Sequence, residues 1–241
     1  MEYIRLWLRV RPEAHDLRFL LAQQLVLTGD YAGARAELHR LIRHAGPQLA
    51  ERAVIFEIDA GLREAYAFRP DDPRRKRILM QLQERLHALT QEDLSPLVHF
   101  ALAGRAVEIG AANPAARLYA QVLARDLALP SSAWEDAAQR MSALGELDLT
   151  VRLYLRAQSV ATQRADKRRL FITALRTLVG AGRHHDALVR ADESLGDLAD
   201  DIETLEFLTR LALAANRPDV AQRYARRMLH MSLYPADVAA A

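Results

Sequence analysis

Apolar residues recur along most of the chain with the period of an α-helix, and turns of one kind interrupt them. In the segment 27–38, LTGDYAGARAEL, the turn residues Gly29-Asp30 are followed by a small residue, Ala34, which begins a new apolar period. Three later turns also place a small residue five positions after the turn residue: Gly145 with Thr150, Gly182 with Ala187, and Asn216 with Ala221. Glycine and asparagine adopt the left-handed conformation that ends a helix. The pattern therefore predicts helical hairpins in which the small residue lets the second helix approach the first.

The later turns are regularly spaced. The turn residues Gly145, Gly182 and Asn216 lie 37 and 34 residues apart. Eleven positions before each of them stands a large apolar residue: Trp134, Phe171 and Leu205. A period of this length with two helices per period is typical of a helical solenoid. No alternating run of β-branched residues indicates a strand, so the sequence predicts an all-α fold.

Several of these positions match a known repeat. Trp134 stands early in a first helix, Gly145 stands at the turn, and Tyr31 begins a second helix, while Pro12 precedes Gly46-Pro47 by 34 residues. In these features the chain resembles the tetratricopeptide-repeat family. The resemblance implies a right-handed superhelical solenoid of about six helical hairpins.

The pattern predicts one solenoid over residues 1–241. Its six units are 13–46, 47–90, 91–129, 130–163, 164–198 and 199–234. We expect the turn of the third unit at Ala112-Asn113-Pro114, which makes that unit one residue short. Residues 1–11 read as the end of a preceding helix with an apolar stripe, so we expect a fragment of a longer array.

Composition narrows the possible functions. The chain has 241 residues with 33 basic and 31 acidic side chains, a net charge of +2. This balance does not favour a nucleic acid partner. Cysteine is absent, which excludes disulfides and thiolate chemistry. No apolar run reaches the ~20 residues that a membrane helix needs, so we expect no membrane contact by this segment.

Residues that could carry chemistry are explained better by local structure. His184 and His185 are adjacent on a predicted helix, so their side chains point apart and rarely share one metal ion. The pairs Asp71-Asp72 and Asp200-Asp201 precede helices, where aspartate caps free N–H groups. The basic run 74–77 reads as helix surface, with an anionic partner as the alternative. The sequence therefore predicts no enzyme, no catalytic or metal site and no cofactor.

A repeat array offers surface, and the first helix of each unit is expected to line its concave side. The side chains expected there, as a site for a protein partner, are Asp16, Phe19, Gln23, Ser132, Glu135, Gln139, Arg169, Arg176, Glu203, Glu206 and Arg210. A module that binds glycans directly is an alternative, and it requires stacking aromatic residues, for which Phe19 and Trp134 are the available choices.

A more specific resemblance extends over most of the chain. The run TVRLYLRAQSVATQRADKRRLFITALRTLVGAGRHHDAL, followed by LADDIETLEFLTRLALAANRPDVAQRYARRML, resembles the periplasmic repeat region of the PelB family of exopolysaccharide export proteins. The resemblance implies a periplasmic, non-catalytic scaffold that belongs to a protein anchored in the outer membrane. Such a scaffold would position a PelA-type polysaccharide deacetylase/hydrolase near the export pore, with possible contact to the polysaccharide. The alternative is a cytoplasmic adaptor or regulator that binds peptides or proteins.

Overall fold

The protein is all-helical over the part of the chain that is described. The computed structural model describes residues 2–233, which contain thirteen α-helices, one short 3-10 helix and no β-strand. The predicted all-α class is thus confirmed. The chain divides into two compact units, Met1–Leu127 and Ala128–Ala241. Tyr234, with which the sixth predicted repeat ends, lies outside the described residues.

The first unit contains seven helices, each joined to the next by a short loop. They are α1 (Glu2–Val10), α2 (His15–Leu27), α3 (Tyr31–His44), α4 (Pro47–Tyr66), α5 (Pro73–Leu89), α6 (Pro96–Glu108) and α7 (Ala112–Ala124). Neighbouring helices pack in pairs, with α2 on α3, α4 on α5 and α6 on α7. Helix α4 also packs against α2, α3 and α6, which makes it the centre of this unit.

The second unit continues with six α-helices over its described residues. They are α8 (Ser131–Ala143), α9 (Leu147–Val160), α10 (Arg164–Gly180), α11 (His184–Ser194), α12 (Ile202–Ala214) and α13 (Pro218–Leu233), with the 3-10 helix Gly196–Asp200 before α12. Each helix packs against the next, and α10 also contacts α12. Within this unit, the first helices of the last two pairs, α10 and α12, are therefore in contact.

Five turns between helices share one geometry. Their turn residues have φ between 56° and 81° and are Gly29, Gly110, Gly145, Gly182 and Asn216. In each turn this residue donates its N–H to the carbonyl three positions earlier, at 2.9–3.1 Å. The next residue donates to the carbonyl five positions earlier, at 2.8–3.2 Å. This pair of bonds is the Schellman motif, which satisfies the free carbonyls at the end of the first helix.

The small residue five positions after each turn residue is buried, and the sequence pattern predicted four of these five residues, all but Ala115. These residues are Ala34, Ala115, Thr150, Ala187 and Ala221. A side chain of this size leaves room for the second helix to cross the first closely. The repeated turn and the buried small residue together fix how each of these helix pairs packs.

The predicted position of the third turn was wrong. Ala112, Asn113 and Pro114 form the first turn of α7, and the turn residue is Gly110. Proline is tolerated in the first turn of a helix because an N–H there has no partner within the helix. With the turn at Gly110, the distance to Gly145 is 35 residues, which lies between the 34 and 37 residues that separate the later turns.

The position eleven residues before each turn residue is buried throughout, but it is not apolar throughout. In the second unit it holds Trp134, Phe171 and Leu205, each 0% exposed. In the first unit the same position holds Arg18 and His99, which are 8% and 1% exposed. The first unit thus encloses two basic side chains where the second encloses apolar ones.

Candidate functional site

The predicted surface residues occupy three equivalent positions in their helices. They stand 13, 10 and 6 residues before the turn residue in α2, α8, α10 and α12. Spacings of three and four residues place them on one face of each helix. In the second unit this face belongs to α8, α10 and α12, and we call it the A-helix face.

Most of the predicted residues on the A-helix face are accessible. Glu135 is partly buried, and the others are exposed: Ser132, Gln139, Arg169, Arg176, Glu203, Glu206 and Arg210. Their charges do not act independently, because contacts between neighbouring helices and within a helix pair several of them.

One ion pair joins α8 to α10. Arg169 donates to both carboxylate oxygens of Glu135, at 2.5 and 2.9 Å. The hydrogen bonds from Arg169 hold the pKa of Glu135 below its ordinary value, so the carboxylate stays charged into acid solution. Arg169 also lies 3.6 Å from Asp166 on its own helix. Two parallel hydrogen bonds fix the guanidinium in one orientation.

A second set of contacts joins α10 to α12. The Arg168 guanidinium lies 3.0 Å from a carboxylate oxygen of Glu203 and 3.2 Å from one of Asp201. The guanidinium of Arg176 lies over the ring of Phe207, 5.8 Å from its centroid. Arg176 forms no ion pair within residues 2–233, so its charge is available on the surface. In the sequence, Arg168 belongs to a basic stretch, 167–169, that reads as helix surface with an anionic partner as the alternative, whereas nothing marks Phe207. Both residues become neighbours of the site only when α10 packs beside α12.

On α12, the exposed Glu206 and Arg210 pair with each other one helical turn apart. This pair lies within one helix, so it neutralises two charges without connecting helices. The exposed A-helix face therefore combines ordered ion pairs with one available cation, Arg176, and two uncharged polar side chains, Ser132 and Gln139.

The predicted residues of the first unit separate into different environments. Asp16 is exposed and Gln23 is partly buried on α2. The prediction that Phe19 faces a partner was wrong, because its side chain is 8% exposed and packs with Ala22, Leu38, Leu41 and Ala53 in the core. The Phe19 ring also contacts that of Phe56, with 5.5 Å between centroids. Periodicity marks the face of a helix but not which neighbour covers it.

The burial of aromatic residues also bears on glycan binding. The two aromatic residues considered for stacking, Phe19 and Trp134, are both buried. A sugar ring cannot reach either side chain without opening the core. Neither of these residues can therefore form a stacking surface for glycans.

Polar groups that resemble catalytic residues have structural partners. Asp72 accepts a hydrogen bond from the N–H of Arg74 at 2.8 Å and caps α5. Asp201 accepts bonds from the N–H and hydroxyl of Thr204, at 2.9 and 2.7 Å, and caps α12. Within residues 2–233 no group of three or more histidine, aspartate or glutamate side chains is placed to hold a metal ion. Over the same residues no helix is long and apolar enough to cross a membrane.

Comparison with known proteins finds solved structures that are similar to this chain. No protein-family profile and no curated protein matches the sequence. The structure is similar to the crystal structure of BtubC (BKLC) from P. vanneervenii, with 16% sequence identity over 91% of this chain and 92% of that chain, and a TM-score of 0.34. A TM-score of this size does not establish a shared fold.

Proposed function

We propose that this chain is a non-catalytic scaffold. Its helical hairpins, about six in number, stack as a tetratricopeptide-like, right-handed superhelical solenoid. The observation that carries the proposal is the alignment of α8, α10 and α12. Their equivalent faces are joined by the Glu135–Arg169 pair and by the Arg176–Phe207 contact. A surface built from packed helices loses little conformational freedom when it binds a partner.

The proposed partner is a protein. The A-helix face carries both signs of charge in fixed positions, which suits a complementary protein surface better than a uniformly charged polymer. The resemblance to the PelB family directs the proposal to a periplasmic polysaccharide deacetylase/hydrolase of the PelA type. In that setting the scaffold would hold the enzyme near the outer-membrane export pore.

Direct binding tests this proposal. The full chain is immobilised and the purified PelA-type enzyme is titrated over it by biolayer interferometry. We expect a dissociation constant of about 10 μM or tighter, as for transient assemblies. Absence of binding at about 100 μM would contradict the proposed partner. A cytoplasmic peptide-binding adaptor would then remain as the alternative function.

Replacement of Arg176 tests most directly whether the A-helix face binds the partner, because it breaks no ion pair among the described residues. Arg176→Glu is expected to weaken binding by about tenfold or more, since a charge at the centre of an interface is reversed. Arg152→Glu is the control, because Arg152 is an exposed arginine of α9 in the same unit and receives the same charge change. An equal loss of affinity in both variants would contradict the proposal that the A-helix face binds the partner.

The solenoid architecture has its own test. Small-angle X-ray scattering of the full chain is expected to give the pair-distance distribution of an elongated particle. A distribution typical of a sphere of the same mass would contradict the stacked arrangement, whatever the outcome of the binding experiment.

A further inference from the structure

A groove in the first unit lies between α1, α2 and α3, apart from the A-helix face. Its apolar lining consists of Leu8, Leu21 and Leu25, and its volume is about 480 Å³. Gly33 and Ala36 line it from α3, where the absence of longer side chains leaves room beside the helix backbone. The groove is open to the surface.

The groove carries a large excess of positive charge. Four guanidinium groups line it, from Arg5, Arg9, Arg18 and Arg40, against the single carboxylate of Glu37. Four positive charges and one negative charge give +3. Arg18 and Arg40 share Glu37, at 2.6 and 2.9 Å. Arg5 and Arg9 are exposed and form no ion pair within residues 2–233.

Arg18 is the least expected of these residues. It occupies the buried position that holds Trp134, Phe171 and Leu205 in the second unit. Burying a guanidinium there costs free energy that an apolar residue would not cost. Arg18 donates to Glu37 and, at 2.8 Å, to the carbonyl of Pro12. Its buried Nε has no hydrogen-bond partner within the described residues. A local choice that lowers stability is expected where the residue serves binding.

The groove continues into a second hollow. Pro12, Arg18 and Arg40 line both, and the second hollow adds His15 and His44 and a volume of about 330 Å³. It has no carboxylate in its lining. The positive charge is therefore distributed along an elongated depression rather than concentrated at one point.

We propose that this groove binds an extended acidic segment of a protein partner, with Arg5, Arg9 and Arg40 on its rim pairing with carboxylates. Glutamate fits because its two methylene groups can lie on the leucine lining while its carboxylate reaches a guanidinium. Arg18 supplies a fixed positive charge at the base, held in place by Glu37. An isolated inorganic anion would use the charge but not the apolar lining. The inference does not depend on the exopolysaccharide setting of the proposed function.

Fluorescence anisotropy of a labelled peptide with the full chain tests this inference. The probe is a short peptide of alternating glutamate and alanine, and the comparison is the same peptide with glutamine. At low salt we expect the glutamate peptide to bind with a dissociation constant of about 10–100 μM and the glutamine peptide about tenfold more weakly. Failure of the glutamate peptide to bind at about 1 mM would overturn the inference.

A matched pair of charge-reversed variants separates the groove from net charge. The double variant Arg5→Glu with Arg9→Glu is expected to bind the glutamate peptide about tenfold or more weakly than the parent. Lys76→Glu with Arg77→Glu is the control, with the same change in net charge on exposed residues of α5 in the same unit. We expect the control to stay within about twofold of the parent. Equal losses would show nonspecific attraction and overturn the inference.

Two further measurements identify the ligand and the role of Arg18. The first measurement is competition by inorganic phosphate at the same concentration as the peptide. Displacement of the peptide would show that any small anion fills the groove, which would overturn the assignment of a peptide ligand. Arg18→Leu introduces the residue found at position 205 and is expected to keep the helical circular dichroism while losing about tenfold in affinity. A folded Arg18→Leu protein with unchanged affinity would contradict the role given to Arg18. If that variant does not fold, the rim variants decide the question.

Discussion

Arg169 binds both carboxylate oxygens of Glu135 across 34 residues of sequence, and so joins the first helices of two consecutive hairpins. The Glu135 side chain is 19% exposed and that of Arg169 is 51% exposed, so solvent screens the pair only in part. The 34 residues between the two partners are close to the 37 that separate the turn residues Gly145 and Gly182, so a residue early in α10 meets one early in α8. The pair is thus a direct measure of how closely neighbouring hairpins pack.

A double-mutant cycle measures this contact. For Glu135→Gln, Arg169→Gln and the double variant, we expect a coupling free energy of about 0.5–1 kcal/mol at neutral pH, because the pair is half-exposed. The pKa of Glu135 is lowered in the folded state. Its contribution is therefore fully present above the ordinary pKa of a glutamate, and it is lost as the pH falls through the lower, folded value. Urea denaturation at pH 7 and in acid checks the cycle, and an equal coupling at both pH values would be inconsistent with an ion pair.

The left-handed turn residues give a second prediction. Gly145→Ala is expected to lower the free energy of unfolding by about 1–2 kcal/mol, because an L-residue is strained at a φ of 79°. Gly104→Ala is the matched control, since Gly104 lies inside α6 and an added Cβ meets no atom within 4 Å. At that position alanine is expected to raise the free energy of unfolding by about 0.5–1 kcal/mol, because alanine favours the helix more than glycine does. Chemical denaturation that ranks the two variants in the opposite order would reject the assigned role of the turn.

The buried small residue after the turn gives a third prediction. Ala187→Leu is expected to lower the free energy of unfolding by about 1–3 kcal/mol. Ala187 is fully buried on α11, which packs against α10, and a larger side chain there would strain the contact between the two helices. Thr150→Ala is the comparison, since alanine fills the equivalent position in the other turns. The Thr150 hydroxyl donates to the carbonyl of Glu146, the N-cap residue of α9, at 2.8 Å, so its removal is expected to lower the free energy of unfolding by less than about 1 kcal/mol. Melting curves by circular dichroism test both, and an unchanged Ala187→Leu protein would argue against a tight crossing.

His99 gives a prediction about pH. Burial lowers the pKa of His99 below its ordinary value, and the nearby Arg125 acts in the same direction. The unfolded chain therefore binds a proton at a higher pH than the folded chain. Stability due to a neutral His99 is present above the ordinary pKa of histidine and falls as the pH drops below it.

His99→Leu removes this titration. The variant places an apolar residue where the second unit has Leu205, so we expect the urea midpoint to fall less between pH 7.5 and pH 5.5 than in the parent. His184→Leu is the control, because His184 is only partly buried and lies at the start of α11. A parent and a His99→Leu variant that lose stability in parallel would contradict a buried neutral His99.

The candidate site could be predicted from sequence only in part. The spacing correctly indicated which positions share a helix face, as Glu135, Arg169 and Arg176 show. It could not tell that Phe19 is covered, because Phe56 of another helix closes over it. It also missed Gly110, since Asn113 and Pro114 gave a stronger local signal for a turn than the glycine before them.

The sequence by itself determined the helices, four of the five repeated turns, and the caps at Asp72 and Asp201. These features depend on residues within a few positions of each other, whose preferences are expressed in any surroundings. Only the tertiary structure decided that Arg18 is buried beside Glu37, that Arg169 reaches Glu135, and that Arg5 and Arg9 share a groove with Arg40. Those relationships depend on how far apart packed helices lie, which is set by side chains distant in sequence.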